Sequence, residues 1–544
     1  MKGMGKMKKI TKIFLLMALV CTLIVCGMMS AGALSSKGKC GKDVSYTYDK
    51  KTGALVISGS GAMYDYDYYT DNKSPFEESD IKSVTIKKGV TRVGNSAFHS
   101  CESLKKVTIA DTVKVIGEDA FSYCESMTSV KLPKNLERIN YRGFYCCRAL
   151  ETITLPEKLK NIGGSAFCFC SALKSIDIPD SVTQIGAEAF YSCSNIETVE
   201  IGRAVKKIGT NAFGFCEELK EIAVDKNNKY FVVENGALSD KAKTKILKYP
   251  SKNTNTEYVM PDTVKTISEG AFSSNTYLEK VTLSANLEKI GIDAFFWCEK
   301  LKSITIPEKV SVIRPNAFHW CCALEEIKVD KKNETYSAVN GVLFNKDKST
   351  LIKYPEGKTT KFYAVPVSVI NISDYAFYDA DFEKVIIDKN VETIGENAFN
   401  SCDNLRDITI PGNVREIGRS AFINTSNLKT VIMEPGVEFI GEGAFSNCIN
   451  LTELEIGAGI DCIDAYAFEE CEKLSKVTFN GTKAQWNDIE IREKNDYLTK
   501  ASVKFVDNCN CHKSGFMGFI YKIELAFWKL FKSNKVCICG IAHY

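Results

Sequence analysis

The sequence predicts a repeat solenoid rich in β-structure, on three observations. An Ala-Phe or Gly-Phe pair recurs at Phe98, Phe121, Phe144, Phe167, Phe190 and Phe213, at Phe272, Phe295 and Phe318, and at Phe377, Phe399, Phe422, Phe445 and Phe468. The spacing within these runs is 23 residues, except for 22 between Phe377 and Phe399. The flanking residues repeat as well, as C-x-x-L-x-x-I-x-I-P-x-x-V-x-x-I-G-x-x-A-F, complete from Cys170 to Phe190. One such unit cannot bury its apolar side chains alone, whereas stacked units share a continuous core.

Within a unit, Leu173, Ile176 and Ile178 end in period-two alternation, which predicts a short strand with one buried face. Pro179 stops it, because proline has no amide hydrogen to donate to a ladder. Val182, Ile185 and Phe190 then turn a second apolar edge inward, with Gly186 allowing the tight corner between them.

Over residues 81–480 this pattern resembles the BspA-like leucine-rich repeats of secreted and surface proteins. The resemblance implies a curved solenoid of parallel strands used for binding, with β-hairpin insertions. It names no ligand.

Residues 1–33 stand apart. Lys2, Lys6, Lys8, Lys9 and Lys12 precede an apolar run from Ile13 to Met29, and Ala31-Gly32-Ala33 suits cleavage, so the stretch is expected to be a secretory signal peptide. Without those five lysines the formal charge falls from +3 to −2, which gives no basis for nucleic-acid binding. Export places the protein in the secreted or cell-surface compartment.

Cysteine would ordinarily mean disulfides in such a compartment. Here Cys101, Cys124, Cys147, Cys170, Cys193, Cys216, Cys298, Cys321, Cys402, Cys448 and Cys471 all lie three residues after a repeat Phe, with Asn275, Ala380 or Thr425 where Cys is missing. Such a column stacks at one strand spacing, about 4.8 Å, with parallel side chains, whereas a disulfide needs converging Cβ atoms about 3.8 Å apart. The expectation is a ladder of buried thiols filling small sites.

Residues 34–80 lack the repeat. Val44–Tyr48, a turn through Gly53 and Ala54–Ser58 read as a hairpin capping the first turn. After repeats from residue 81 comes an insertion, 224–261, that recurs as 329–366 at an offset of 105. Each carries Asn-Gly, a strand, a polar turn and a second strand, predicting a β-hairpin that projects from the solenoid. Residues 481–507, with Trp486, Ile489 and Ile491, suit a closing cap.

Three sets of residues are candidate sites. The outward strand positions (Thr85, Thr108, Lys131, Asp177 and their equivalents) are small, polar and mixed in charge, and read as a solvated face. Two residues past the repeat Phe, Tyr123, Phe169, Phe215, Trp297 and Trp320 recur, joined one position earlier by Tyr145, Tyr191, Phe296 and Tyr378. They form either a ridge for sugar rings or an apolar protein patch, or packing over the next turn. The third set lies in the tail, 508–544: Cys509, Cys511, His512, Cys537, Cys539 and His543 would supply a zinc site, and two disulfides would explain the cysteines equally. Between them an amphipathic helix through Phe516, Phe519, Ile520, Ile523 and Phe527 would touch a membrane surface, the envelope or a partner.

No P-loop, dinucleotide fingerprint or nucleophile–base signature is present, and the four histidines are His99, His319, His512 and His543. The expected function is non-enzymatic: an adhesin-type binding protein contacting an extracellular protein or glycan of a host or neighbouring cell. The alternative is a structural envelope component, with the repeats as spacer and the tail as anchor.

Overall fold

The computed structural model describes residues 34–77 and 79–506. Three strands open it: β1 (Lys37–Lys39), β2 (Asp43–Asp49) and β3 (Ala54–Ala62). β1 pairs antiparallel with β2, and β2 with β3. β3 starts both strand ladders of the N-terminal part of the solenoid. Residues 54–57 pair in parallel with Ser83–Ile86, and Gly61 and Ala62 pair with Val90–Val93.

Most units then lay down two strands; in the unit 150–162 the first is reduced to a single bridge between Ser129 and Thr152. The L-x-x-I-x-I part forms strands such as Ser175–Ile178, with alternate residues buried. The V-x-x-I edge forms a second, two-residue strand such as Gln184–Ile185. Both stack in parallel at the repeat offset: Ile176 against Val199, Ile185 against Ile208. On the third side the amide of most repeat Phe residues donates to the carbonyl before the next one, as in Phe98 N to Ala120 O at 2.8 Å and Phe190 N to Ala212 O at 2.8 Å, whereas the last, Phe468, donates to Asn495 Oδ1 at 3.0 Å. A fixed period thus brings equivalent backbone groups within bonding reach one turn away, as a buried ladder requires.

The repeat Phe side chains form the centre of the core. They stack nearly parallel: Phe144 and Phe167 are 5.4 Å apart at 2°, Phe422 and Phe445 5.0 Å apart at 1°. Phe76, Tyr249 and Tyr354 occupy the same column without belonging to the A/G-F pattern. The two tyrosines also make the repeat's backbone bond, to Ala271 O at 2.7 Å and Ala376 O at 2.8 Å.

Gly186 serves a different purpose from the one expected. Its φ is not positive; a Cβ there would overlap the Gly164 amide and the Gly163 carbonyl carbon of the preceding turn. Its bare α-carbon lets adjacent turns close up.

The insertions do not project, which corrects the expectation. Ala237–Asp240 and Lys245–Lys248 pair antiparallel, and so do Val342–Asn345 and Thr350–Lys353. The second strand of each pair then joins the solenoid in parallel, Ile246 against Ile267 and Leu351 against Ile372. A third strand, Phe231–Glu234 or Tyr336–Val339, covers the first strand's other edge. Ala237, Leu238, Val342, Leu343 and Phe344 are all 0% exposed. Each insertion is an internal partition. Leu238 packs into the N-terminal core and Ala237 into the middle one; Leu343 packs into the middle core and Val342 and Phe344 into the C-terminal one.

Two short helices close the described chain. α1 (Lys483–Asp488) starts at a capping box, with Thr482 Oγ1 accepting from Gln485 N and the Gln485 side chain accepting from Thr482 N. α2 (Asp496–Lys500) buries Leu498. A last strand, Ser502–Phe505, pairs with Lys476–Asn480.

Candidate functional site

The Phe turn places two residues in the left-handed region. Positions two before and two after the repeat Phe have positive φ throughout, as in Asp119 (50°) and Tyr123 (60°), or Ser165 (52°) and Phe169 (61°). Asn, Asp and Gly take that conformation most cheaply; a bulky aromatic does not. Ser100, Ser192, Asn424 and Asn447 fill the second position at some turns, but Tyr123, Phe169, Phe215, Trp297 and Trp320 fill it at φ from 53° to 60° or 61°.

These aromatics join into a second row running outside the Phe stack. It begins with Tyr68 stacked on His99 at 4.0 Å. His99 meets Tyr123 at 5.4 Å, Tyr123 meets Tyr145 at 5.3 Å, and Tyr145 meets Phe169 at 5.7 Å. Phe169 meets Tyr191 at 5.9 Å and Tyr191 meets Phe215 at 5.1 Å. The row crosses the first insertion without a break, since Phe215 and Phe296 are 5.4 Å apart. Phe296 stacks on Trp320 at 5.5 Å, and Trp320 reaches Tyr378 at 6.3 Å. All the predicted ring residues are half-buried. They pack on neighbours in adjacent turns, and each keeps part of its surface in solvent.

Trp297 and Trp320 sit edge to face at 5.8 Å, and the Trp297 indole Nε1–H donates to Glu299 Oε1 at 2.6 Å. Arg142 lies over both Tyr141 and Tyr145, and Arg148 over Phe169. Beyond Tyr378 the row changes character. Asn424 Nδ2 donates to Asn400 Oδ1 at 3.5 Å and Asn447 Nδ2 to Asn424 Oδ1 at 2.7 Å, an amide ladder continuing the aromatic one.

The sequence pattern did not place Tyr68, His99 or the asparagines in this row. His99 and His319 share one repeat position and both lie within this row. Burial pushes the His99 imidazole down to about 4. His319 is also lowered by burial, against the pull of Glu356, whose Oε1 lies 3.5 Å from Nδ1. Glu356 Oε1 also accepts from Lys353 Nζ at 2.8 Å and from the Trp320 amide at 2.9 Å. This buried cluster anchors the second insertion beneath the row. The first insertion has Ser251 where the second has Glu356, and its buried Lys248 donates to Gly270 O, Ser273 O and Ser273 Oγ at 3.2–3.3 Å.

The thiol column has a chemical reason beyond size. Each Sγ donates to the carbonyl oxygen of the preceding repeat aromatic: Cys124 to Phe98 at 3.2 Å, Cys193 to Phe167 at 3.0 Å, Cys298 to Phe272 at 3.2 Å. Thr425 Oγ1 does the same to Phe399 O at 3.1 Å, and Asn275 Nδ2 reaches Pro250 O at 3.0 Å. The replacements therefore keep a donor, with Ala380 the exception. Burial pushes the Cys216, Cys298 and Cys471 thiols up to about 12, which keeps the donating hydrogen in place. All sixteen cysteines among the described residues are free.

The strand face carries a ladder of ion pairs between adjacent turns, such as Lys220–Glu197 at 2.7 Å and Lys302–Glu279 at 2.6 Å. Among the described residues no group of three or more His, Cys, Asp or Glu side chains is placed to hold a metal ion. The constellation Cys509, Cys511, His512, Cys537, Cys539 and His543, like residues 1–33, lies outside the described residues.

A family model of the BspA type leucine rich repeat region, six copies long, matches residues 72–170, 137–258, 244–363 and 370–491. Among solved structures, a leucine-rich repeat protein from Eubacterium ventriosum is 22% identical with a TM-score of 0.44, covering 87% of this chain and 96% of that one. A leucine-rich repeat protein from Bacteroides ovatus is 22% identical with a TM-score of 0.39, covering 86% and 98%. A leucine rich cell surface protein from Faecalibacterium prausnitzii is 21% identical with a TM-score of 0.38, covering 82% and 96%. No curated protein matches.

Proposed function

The chain belongs to the BspA-type leucine-rich repeat family, and on that basis we propose that it is a secreted or cell-surface binding protein, without enzymatic activity, that contacts an extracellular protein or glycan of a host or neighbouring cell. The observation that carries this reading is the outer aromatic row. Five aromatics occupy a left-handed position that asparagine or serine fills at other turns of the same solenoid. Each such choice costs about 1–2 kcal/mol of backbone strain. Ring contacts between turns offset part of that, and the solvent-facing remainder is available to a partner. The stacked ladders hold the rings in fixed relation, so the face is preorganised and little ordering entropy is lost on binding.

Trp297 and Trp320 form the contact centre of this reading, because they are the largest rings on the row and lie in consecutive turns. The test is binding of the full chain to mucins, matrix proteins and polysaccharides, beside a Trp297→Asn/Trp320→Asn variant. Asparagine suits the left-handed backbone, so the variant is expected to melt as the parent does. Saturable binding that the variant loses supports the reading. Equal binding by both proteins removes the row from it.

A further inference from the structure

We propose that the outer aromatic row is a track for an extended β-linked glycan, of the kind in which successive pyranose rings turn over, lying along the solenoid axis with one sugar per turn from His99 to Phe215. The proposal rests on the binding reading above and names the occupant of that same face.

Three features of the row fit a regular polymer better than a protein surface. The first is pitch. Ring centroids step by 5.1–5.9 Å from His99 to Phe215, close to the advance of one pyranose in an extended β-linked chain. A protein partner presents side chains of unequal length at unequal intervals and has no use for a constant step over so many turns.

The second feature is alternation. Consecutive rings from His99 to Phe215 are inclined by 59° to 87°. Tyr123, Phe169 and Phe215 project from the left-handed position, while Tyr145 and Tyr191 between them project from the residue just after the repeat Phe. The repeating unit of the row is therefore two turns, as the repeating unit of such a glycan is two sugars. A pyranose presents a C–H face to an aromatic ring and its hydroxyls sideways, so alternate rings meet alternate sugars in one attitude.

The third feature is polar flanking along the same line. Arg142 and Arg148 lie over rings of the row, and Glu299 holds the Trp297 indole. Past Tyr378 the track passes to Asn400, Asn424 and Asn447, whose amides already bond from turn to turn. Amide and guanidinium groups can donate to hydroxyl oxygens and Glu299 can accept from them, while the rings supply contact area at low entropy.

The experiment is calorimetric titration of the full chain with soluble β-linked glucose and N-acetylglucosamine oligosaccharides of increasing length, with α-linked glucose oligosaccharides as the control. The expected result is affinity that strengthens by roughly tenfold or more between the disaccharide and the longest soluble chain, as more turns engage. α-Linked chains, which coil away from a straight track, should bind no better than the disaccharide. A Tyr123→Asn/Phe169→Asn/Phe215→Asn variant should lose that gain. Tryptophan emission of the unaltered protein gives a second readout, since Trp297 and Trp320 should shift to the blue under a bound sugar.

Affinity independent of length, equal affinity for α-linked chains, or no heat and no emission change with any oligosaccharide each overturns the proposal. If the parent binds no sugar and the variant loses a protein partner that the parent holds, the occupant is wrong and the binding reading stands. If the variant keeps every partner of the parent, both fall.

Discussion

The Sγ of Cys193 donates to the carbonyl oxygen of Phe167, 3.0 Å away and 26 residues earlier in the chain. Both groups are buried, and the bond ties one turn of the solenoid to the next beside the stacked Phe rings. Along the column the same bond recurs with sulfur or oxygen as donor.

Cys193→Ala removes that donor and leaves a buried carbonyl unsatisfied, a loss of about 1–3 kcal/mol. Cys193→Thr, copying the column's own Thr425, should recover most of it. Chemical denaturation followed by circular dichroism checks the order parent, Thr, Ala. An Ala variant as stable as the parent would mean that size alone explains the column.

Burial also protects these thiols. Cys322 is exposed, whereas the column thiols of the described residues are buried. Brief alkylation of the folded protein followed by peptide mass spectrometry should find Cys322 modified and Cys101 to Cys216 untouched. Denaturant should open all of them together.

The two aromatic rows should answer differently to truncation. Phe167 is fully buried between Phe144 and Phe190, and Phe167→Ala should cost about 3–5 kcal/mol. Phe169, two residues on, is half-buried at φ 61°. Phe169→Asn relieves backbone strain while losing ring contacts of about 0.5–1.5 kcal/mol, so stability should barely move. Thermal melts of the two variants make the comparison.

Gly186→Ala places a methyl group against the backbone of Gly163 and Gly164. Backbone on both sides cannot step aside as a flexible side chain can, so a loss of about 1–3 kcal/mol is expected in the same melts.

Lys248 gives a pH signature. Desolvation lowers its ammonium from 10.5 to about 8, while the neighbouring Cys216 and Cys298 act in the opposite direction. Between pH 8 and 10.5 the unfolded chain holds a proton that the folded chain has released, so stability rises with pH across that window. Below it the amine is charged in both states and its burial penalty, roughly 3 kcal/mol, is constant. Lys248→Met should remove the rise, read as the difference between parent and variant denaturation curves. At neutral pH it should gain less than the full penalty, because the Gly270 and Ser273 carbonyls lose their donor.

The period of 23 residues was sufficient to establish the solenoid, because in-register repeats allow one arrangement that buries the repeated Leu, Ile, Val and Phe positions while pairing their strands. The family resemblance rested on the same residues. Local spacing also brought Tyr123, Phe169, Phe215, Trp297 and Trp320 together as a set, since a shared repeat position becomes a shared line once units stack.

Tertiary structure alone decided the rest. The hairpin strands of the insertions were legible, but not their place inside the core; that depends on Ala237, Leu238, Val342 and Leu343 finding apolar space between turns. Phe76, Tyr249 and Tyr354 entered the Phe column through position in space, without the sequence motif that marks it. The donor role of Cys, Thr and Asn emerged only when the carbonyl 25 or 26 residues back came within reach. So did the row's continuity from Phe215 to Phe296, residues 81 apart in the chain, whose rings touch because the turn between them presents Ser273 and Ser274 at this edge. Periodicity specifies contacts between equivalent positions in neighbouring units; contacts across an interruption depend on what the interruption buries.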